Sequence, residues 1–164
     1  MFFLFNNYEK KIAKILIQNK MTLSTAESCT GGLISSLMTD VSGSSNFIKS
    51  NFVTYSNEAK QKYLKVQKET IEEYGAVSEQ TAKEMAEGLI FQSGTNFAIG
   101  ITGIAGPTGG SKEKPVGLAY VGITDGKNIV VEKLLMPKWF PRRIMKFCFA
   151  KKALYFLLKY LERI

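Results

Sequence analysis

The spacing of apolar positions changes several times along the chain, and each change marks an element. Over residues 8–21, Ile12, Ile15 and Leu16 alternate with Lys10, Lys11 and Lys14, a helical period that predicts an amphipathic helix started by Asn6 or Asn7. Residues 22–26 read as a short strand, 28–32 as a turn of small residues, and 33–38 as an apolar helix opened by that turn. A loop at 41–46 leads to a strand at 47–55 and a polar helix from Asn57. A further helical run at 69–74 stops at Gly75, a C-cap glycine. Ser78 then caps a helix through Ile90, with Val77 as hydrophobic staple and Glu79 in the first turn.

Residues 96–101 form a short apolar strand that runs into a glycine-rich loop at 102–117. Two β-rich stretches, 116–124 and 129–135, meet at Asp125-Gly126, a hairpin signal. The last stretch, 142–161, sets Ile144, Phe147, Cys148, Leu154, Leu157, Leu158 and Leu161 among lysines and predicts a long helix. Its Phe147, Phe149, Phe156 and Leu158 suit a sheet face or a homodimer interface equally well. Strands alternating with helices, plus one hairpin, predict an α/β fold with a mixed sheet. Neither a repeat nor a linker divides the chain, so residues 1–164 are expected to form one domain.

Composition narrows the chemistry. The chain has 164 residues, 45% hydrophobic, and no histidine. Histidine-based triads and dyads and His-ligated zinc or iron sites are thereby excluded. Two cysteines, Cys29 and Cys148, make neither a disulfide framework nor a structural zinc site, and a reduced cytoplasmic setting without metal or cofactor is expected. The apolar start, residues 1–5, is shorter than the roughly 7 to 15 residues of a signal-peptide core and the roughly 20 of a membrane span. The 22 basic and 14 acidic side chains give a charge of +8. That excess suits anionic ligands such as nucleotides, and equally a lysine-rich solvated surface. With no RNA-binding aromatic motif and no recognition-helix pattern, no specific nucleic-acid partner is expected.

Three small-residue segments flank strands: Ser28-Cys29-Thr30-Gly31-Gly32, Ser42-Gly43-Ser44-Ser45, and the loop from Thr102 to Ser111. Such loops at strand ends are where α/β sheets bind ligands, and glycine lets backbone amides approach an anion. The hydroxyl residues are candidate nucleophiles, and without histidine the base is a lysine, a tyrosinate or a carboxylate. Lys60 follows a strand on the first turn of a helix. At its ordinary pKa only about 0.04% of a lysine is neutral at pH 7, and a value near 7.5 requires roughly 4 kcal/mol against the charged form. Glu27 can orient a ligand or cap the next helix. Cys29, beside it, reads as a nucleophile or as a small apolar residue at a tight turn.

Six segments in fixed order, Thr25-Ala-Glu-Ser-Cys-Thr-Gly-Gly32, Gly43-Ser-Ser45, Phe52-Val-Thr-Tyr-Ser-Asn-Glu-Ala-Lys60, Gly75-Ala-Val-Ser-Glu79, Thr102-Gly-Ile-Ala-Gly-Pro107 and Lys114-Pro-Val-Gly117, resemble the CinA C-terminal domain family. Its members are nicotinamide-nucleotide amidohydrolases, also called nicotinamide mononucleotide deamidases. The resemblance covers about residues 13–161, in the stand-alone form.

The resemblance implies a three-layer α/β/α sandwich with a mixed sheet. It also implies hydrolysis of the nicotinamide mononucleotide carboxamide to nicotinic acid mononucleotide and ammonia, in pyridine nucleotide salvage. By motif, Ser45 is the expected nucleophile and Lys60 its base, with Ser28 and Tyr55 beside them. Thr30, Gly31, Thr102, Gly103, Gly106 and Arg142 are the expected substrate contacts. A Gly-Asp-Arg motif of the family is replaced by Phe140-Pro141-Arg142, with Lys146 in its second basic position. That departure prompts an alternative, a nucleotide-binding module of the same fold that has lost turnover.

Overall fold

The computed structural model describes residues 6–163, so the apolar run at 1–5 lies outside the described residues. The described residues form five strands and six α-helices, in the order α1 (Tyr8–Gln18), β1 (Leu23–Glu27), α2 (Leu33–Thr39), β2 (Ile48–Val53), α3 (Asn57–Leu64), α4 (Lys68–Tyr74), α5 (Glu79–Ser93), β3 (Phe97–Gly103), β4 (Leu118–Thr124), β5 (Ile129–Leu135) and α6 (Arg142–Leu161). A one-turn 3-10 helix, Ser44–Asn46, precedes β2. The sheet order is β2-β1-β3-β4-β5, with β1 parallel to β2 and β3 and the last two pairings antiparallel. This is the mixed sheet of an α/β/α sandwich, as the element pattern and the resemblance led us to expect.

Helices α1, α2 and α6 cover one face and α3, α4 and α5 the other. The first core joins Ile12 and Leu16 of α1 to Phe149, Leu154 and Leu157 of α6 over Ile99 and Val121 of the sheet. The second core sets Leu64, Met85 and Leu89 against Ala26 and Ala98. α5 lies directly on the sheet because its contact side carries Ala82 and Ala86 and the strand beneath offers glycine. A Cβ on Gly122 would stand 2.5 Å from the Ala82 carbonyl oxygen.

The local signals explain most boundaries. Ser78 accepts the Thr81 amide at the start of α5, and the Gly75 amide closes α4 on the Ile71 carbonyl. The Asp125 carboxylate accepts the Lys127 and Asn128 amides in the hairpin turn; burial raises its pKa, but these bonds outweigh it and draw the value down to about 2. α1 differs from expectation, since Asn7 stands at its N-cap without a side-chain cap and Asn6 donates to the Tyr8 hydroxyl instead. α6 runs from Arg142 to Leu161 as its periodicity predicts. It buries Phe149 and Leu158 in the core and leaves Phe147 and Phe156 partly covered. Among the described residues no helix is long and apolar enough to cross a membrane.

β1 lies at the switch in connection direction: its α2 crossover leaves on one face toward β2, and the return to β3 passes over the other through α3–α5. The loops after β1 and β3 therefore diverge, and a crevice opens between them at the carboxyl ends of the parallel strands.

Candidate active site

Alternation along β1 decides what faces the crevice. Ala26 packs in the core beneath α5, so Ser28, two residues on, turns toward the same face, while Glu27 turns toward α2. Glu27 is fully buried and accepts five hydrogen bonds. Oε2 takes those of the Thr30 hydroxyl (2.6 Å), the Gly32 amide (3.1 Å) and the Ile34 amide (3.0 Å), and Oε1 those of the Ser35 amide (2.8 Å) and hydroxyl (2.7 Å). The α2 N-terminus thus carries its own carboxylate, and the turn is locked from below.

Thr30, an expected substrate contact, is buried, and its hydroxyl is committed to Glu27. Gly31 stands outside the crevice, beneath Lys146.

Lys60 reaches the crevice from the first turns of α3. That helix starts at Ser56, whose hydroxyl accepts the Ala59 amide. Only 1% of Lys60 is exposed. Its Nζ lies 3.1 Å from Ser28 Oγ, 2.9 Å from the Thr54 carbonyl and 3.3 Å from the Tyr55 carbonyl. Desolvation lowers its pKa from the ordinary lysine value, against the opposing charges of Cys29 and Glu58. Nζ donates to these three oxygens, one for each N–H of the ammonium, and loss of the proton shared with Ser28 leaves a lone pair facing that hydroxyl.

The seat of α3 depends on a close helix contact. A Cβ on Gly88 of α5 would stand 1.7 Å from the Leu64 carbonyl oxygen at the end of α3. Only glycine allows this approach, which brings Lys60 under the crevice.

Tyr55 is 62% exposed at the rim, and its hydroxyl accepts a 2.8 Å hydrogen bond from Arg142 Nη2. Arg142 Nη1 donates to the Gly106 carbonyl at 2.7 Å. Arg142 thereby ties the start of α6 to both walls of the crevice, even though proline precedes it. The Thr102 hydroxyl is spent on the Ala76 carbonyl at 2.6 Å, so Thr102 borders the cavity as a wall. Together these residues line a cavity of about 260 Å³ with Gly103 and Gly106, and Ala76, Val77, Ile104 and Ala105 form its apolar side. Those four apolar residues were missed as site residues, although two lie in the Gly75-Ala-Val-Ser segment and two in the Thr102–Pro107 segment quoted above. Cys29 also touches the cavity, but burial pushes its thiol up to about 12, which removes it as a thiolate nucleophile near neutral pH.

Ser45 stands apart from the crevice. It is exposed in the 3-10 turn before β2, with Lys49 Nζ at 3.5 Å from its carbonyl. Lys60 follows the other end of that strand, and the six residues of β2 span roughly 20 Å at about 3.3 Å each. The expected Ser45–Lys60 pair does not form within the chain, and Ser28 occupies the place at the amine.

Comparison with known proteins agrees with this architecture. The profile of the CinA C-terminal domain matches residues 5–161. A CinA-like protein of Endomicrobium trichonymphae is 55% identical over 114 residues, covering 70% of this chain and 27% of that protein. A CinA-like protein of Syntrophomonas wolfei is 50% identical over 123 residues, 75% of this chain and 30% of that one. The chain thus spans less than a third of the length of these curated relatives. Among solved structures, the competence/damage inducible protein CihA of Agrobacterium tumefaciens superposes with a TM-score of 0.89 at 39% identity, covering 96% of both chains. A CinA superfamily protein of Klebsiella pneumoniae gives 0.91 at 29% identity, over 97% of this chain and 99% of the other. With the profile spanning nearly every residue and the fold superposing at TM-scores of 0.89 and 0.91, the chain belongs to the CinA C-terminal domain family.

Proposed function

We propose that this chain is an amidase that hydrolyses the carboxamide of nicotinamide mononucleotide, with Ser28 as nucleophile and Lys60 as its base. The observation that carries the reading is the buried Lys60 amine, held by two carbonyls with its third position on the Ser28 hydroxyl. The pyridinium nitrogen of the substrate withdraws electrons from the carboxamide, so a serine of modest nucleophilicity suffices.

Lys60 Nζ accepts the Ser28 proton as Oγ bonds to the carboxamide carbon. We assign the negative charge that develops on the oxygen to backbone N–H groups of the lining residues Cys29 and Gly106, each donor of this kind being worth about 3 to 4 kcal/mol. The ammonium form of Lys60 then protonates the departing nitrogen as the C–N bond breaks, releasing ammonia and leaving the acyl group on Ser28. Water gives a proton to Lys60 as it attacks the ester carbon, and when the acyl–Oγ bond breaks Lys60 returns that proton to Ser28 and nicotinic acid mononucleotide leaves. The Tyr55 hydroxyl, fixed by Arg142, borders the bound substrate and orients it; the apolar wall of Ala76, Val77 and Ile104 packs against its ring.

Ammonia release from nicotinamide mononucleotide by purified Ser28→Ala, Ser45→Ala and Lys60→Met tests the assignment. Ser28→Ala and Lys60→Met are expected to lose at least a thousandfold, and Ser45→Ala to stay within threefold of the parent. An inactive Ser45→Ala beside an active Ser28→Ala overturns it. Binding of the nucleotide by the parent without any ammonia supports the alternative, a nucleotide-binding module without turnover.

A further inference from the structure

A second depression lies across the first turns of α6 from the catalytic cavity and shares no lining residue with it. Leu33 at the start of α2 and Ile144 and Phe147 of α6 form its apolar floor, and Arg143 and Lys146 its charged edge, around a volume of about 350 Å³. No acidic side chain lines it. Among the described residues neither Arg143 nor Lys146 forms a hydrogen bond or ion pair, whereas Lys151, further along the same helix, pairs with Glu9 at 3.0 Å. Nor does an acidic residue stand in the first turn of α6. Two cations thus stand together at the positive end of a long helix without a counter-charge, an arrangement that an anion relieves.

We propose that this groove is a binding site for a nucleoside monophosphate, separate from the catalytic cavity. The charged edge takes the phosphate: Lys146 Nζ is held over the Ser28–Gly32 turn, 3.2 Å from the point a Cβ on Gly31 would occupy, and is unopposed there. The apolar floor takes the base, with the Phe147 ring and the Arg143 guanidinium as flat surfaces on which an aromatic ring stacks. A bare phosphate would leave Leu33, Ile144 and Phe147 uncovered. A second copy of this chain would bring the same cations against each other across a two-fold axis, on a molecule already carrying +8. A mononucleotide satisfies both halves of the groove, and its volume falls in the usual range for small-molecule sites, roughly 300 to 1,000 Å³. The Gly31 amide donates to the Ser28 carbonyl at 3.0 Å, so a ligand that orders Lys146 over this turn also stiffens the turn that carries Ser28.

Trp139, the single tryptophan, is 76% exposed in the segment leading into α6 and serves as a fluorescence probe beside calorimetry. The experiment titrates the protein with AMP, adenosine and inorganic phosphate, following Trp139 emission and the heat of binding, and repeats the AMP titration on the Arg143→Gln/Lys146→Gln double variant. We expect saturable AMP binding, weaker by at least tenfold for adenosine and for phosphate, and weaker by at least tenfold in the double variant. Should that variant lose its fold in a thermal melt, Arg143→Gln alone, at an exposed position, carries the same comparison.

Phosphate binding as tightly as AMP overturns the proposal, as does AMP binding that survives the substitutions and is displaced by nicotinamide mononucleotide. A concentration-dependent dimer, dissolved by Ile144→Asp in sedimentation and indifferent to AMP, assigns the groove to self-association and also overturns it. None of these outcomes depends on ammonia release, so the groove and the amidase reading fail separately.

Discussion

Replacing Glu27 with glutamine changes one oxygen to a nitrogen at the most densely bonded side chain beneath the crevice. An amide placed with nitrogen at Oε2 would point its donors at the Gly32 and Ile34 N–H groups, which cannot accept. The opposite rotamer is better, because it confronts only the Ser35 N–H and leaves the Ser35 hydroxyl able to turn and accept. Even then one buried donor loses its partner, at about 1 to 3 kcal/mol, and the remaining bonds lose the assistance of the carboxylate charge. The sum is a destabilisation of about 3 to 5 kcal/mol, near the top of what single substitutions do. With a urea dependence of about 2 kcal/mol per molar, the unfolding midpoint should fall by about 1.5 to 2.5 M. Equilibrium urea unfolding followed by circular dichroism and Trp139 emission measures this directly. A midpoint within about 0.5 M of the parent would refute the view that Glu27 locks the turn. Ser35→Ala, which spares the carboxylate, should cost only about 1 kcal/mol.

Lys60→Met should remove ammonia release and flatten the dependence of stability on pH. The folded chain lowers the Lys60 pKa beneath its ordinary value of 10.5, so the unfolded chain binds more protons between those two values. Stability of the parent therefore rises with pH across that window, by about 1.4 kcal/mol for each unit of depression, and this rise should be absent from Lys60→Met in thermal melts. In the parent, kcat should rise with pH through the depressed lysine value, and a profile that falls over that range contradicts Lys60 as the base. Gly88→Ala forces the end of α3 away from α5, with an expected cost of about 1 to 3 kcal/mol in urea unfolding and a loss of ammonia release in the fraction that stays folded. The Cys29 thiol, pushed up to about 12, should resist alkylation in native protein at pH 8, where its thiolate fraction is about 10⁻⁴, and react once urea unfolds the chain. Native reactivity comparable to that of a free thiol would contradict its burial.

Local sequence determined the elements because their causes are local. The Ser78 cap, the Gly75 stop, the Asp125-Gly126 turn and the helical period of residues 142–161 each act within a few positions, and the structure reproduces them with shifts of one or two residues. The strand expected at 47–55 ends at Val53 for a tertiary reason, since the Thr54 and Tyr55 carbonyls leave the ladder to hold the Lys60 amine. The missing histidine likewise pointed to a lysine base without reference to any fold.

What the chain could not reveal in one dimension was which hydroxyl meets that lysine. Ser28 and Ser45 sit in equally glycine-rich company, and Ser45 is the nearer to Lys60 in sequence. Parallel pairing of β1 with β2 brings the carboxyl ends of both strands together, so Ser28 and Lys60 meet while Ser45, before β2, is carried to the far edge. The burial that depresses the Lys60 pKa is equally non-local: it exists because Gly88 lets α3 settle against α5, with Leu64 and Gly88 in contact across about 90 Å of chain, at about 3.8 Å per Cα step.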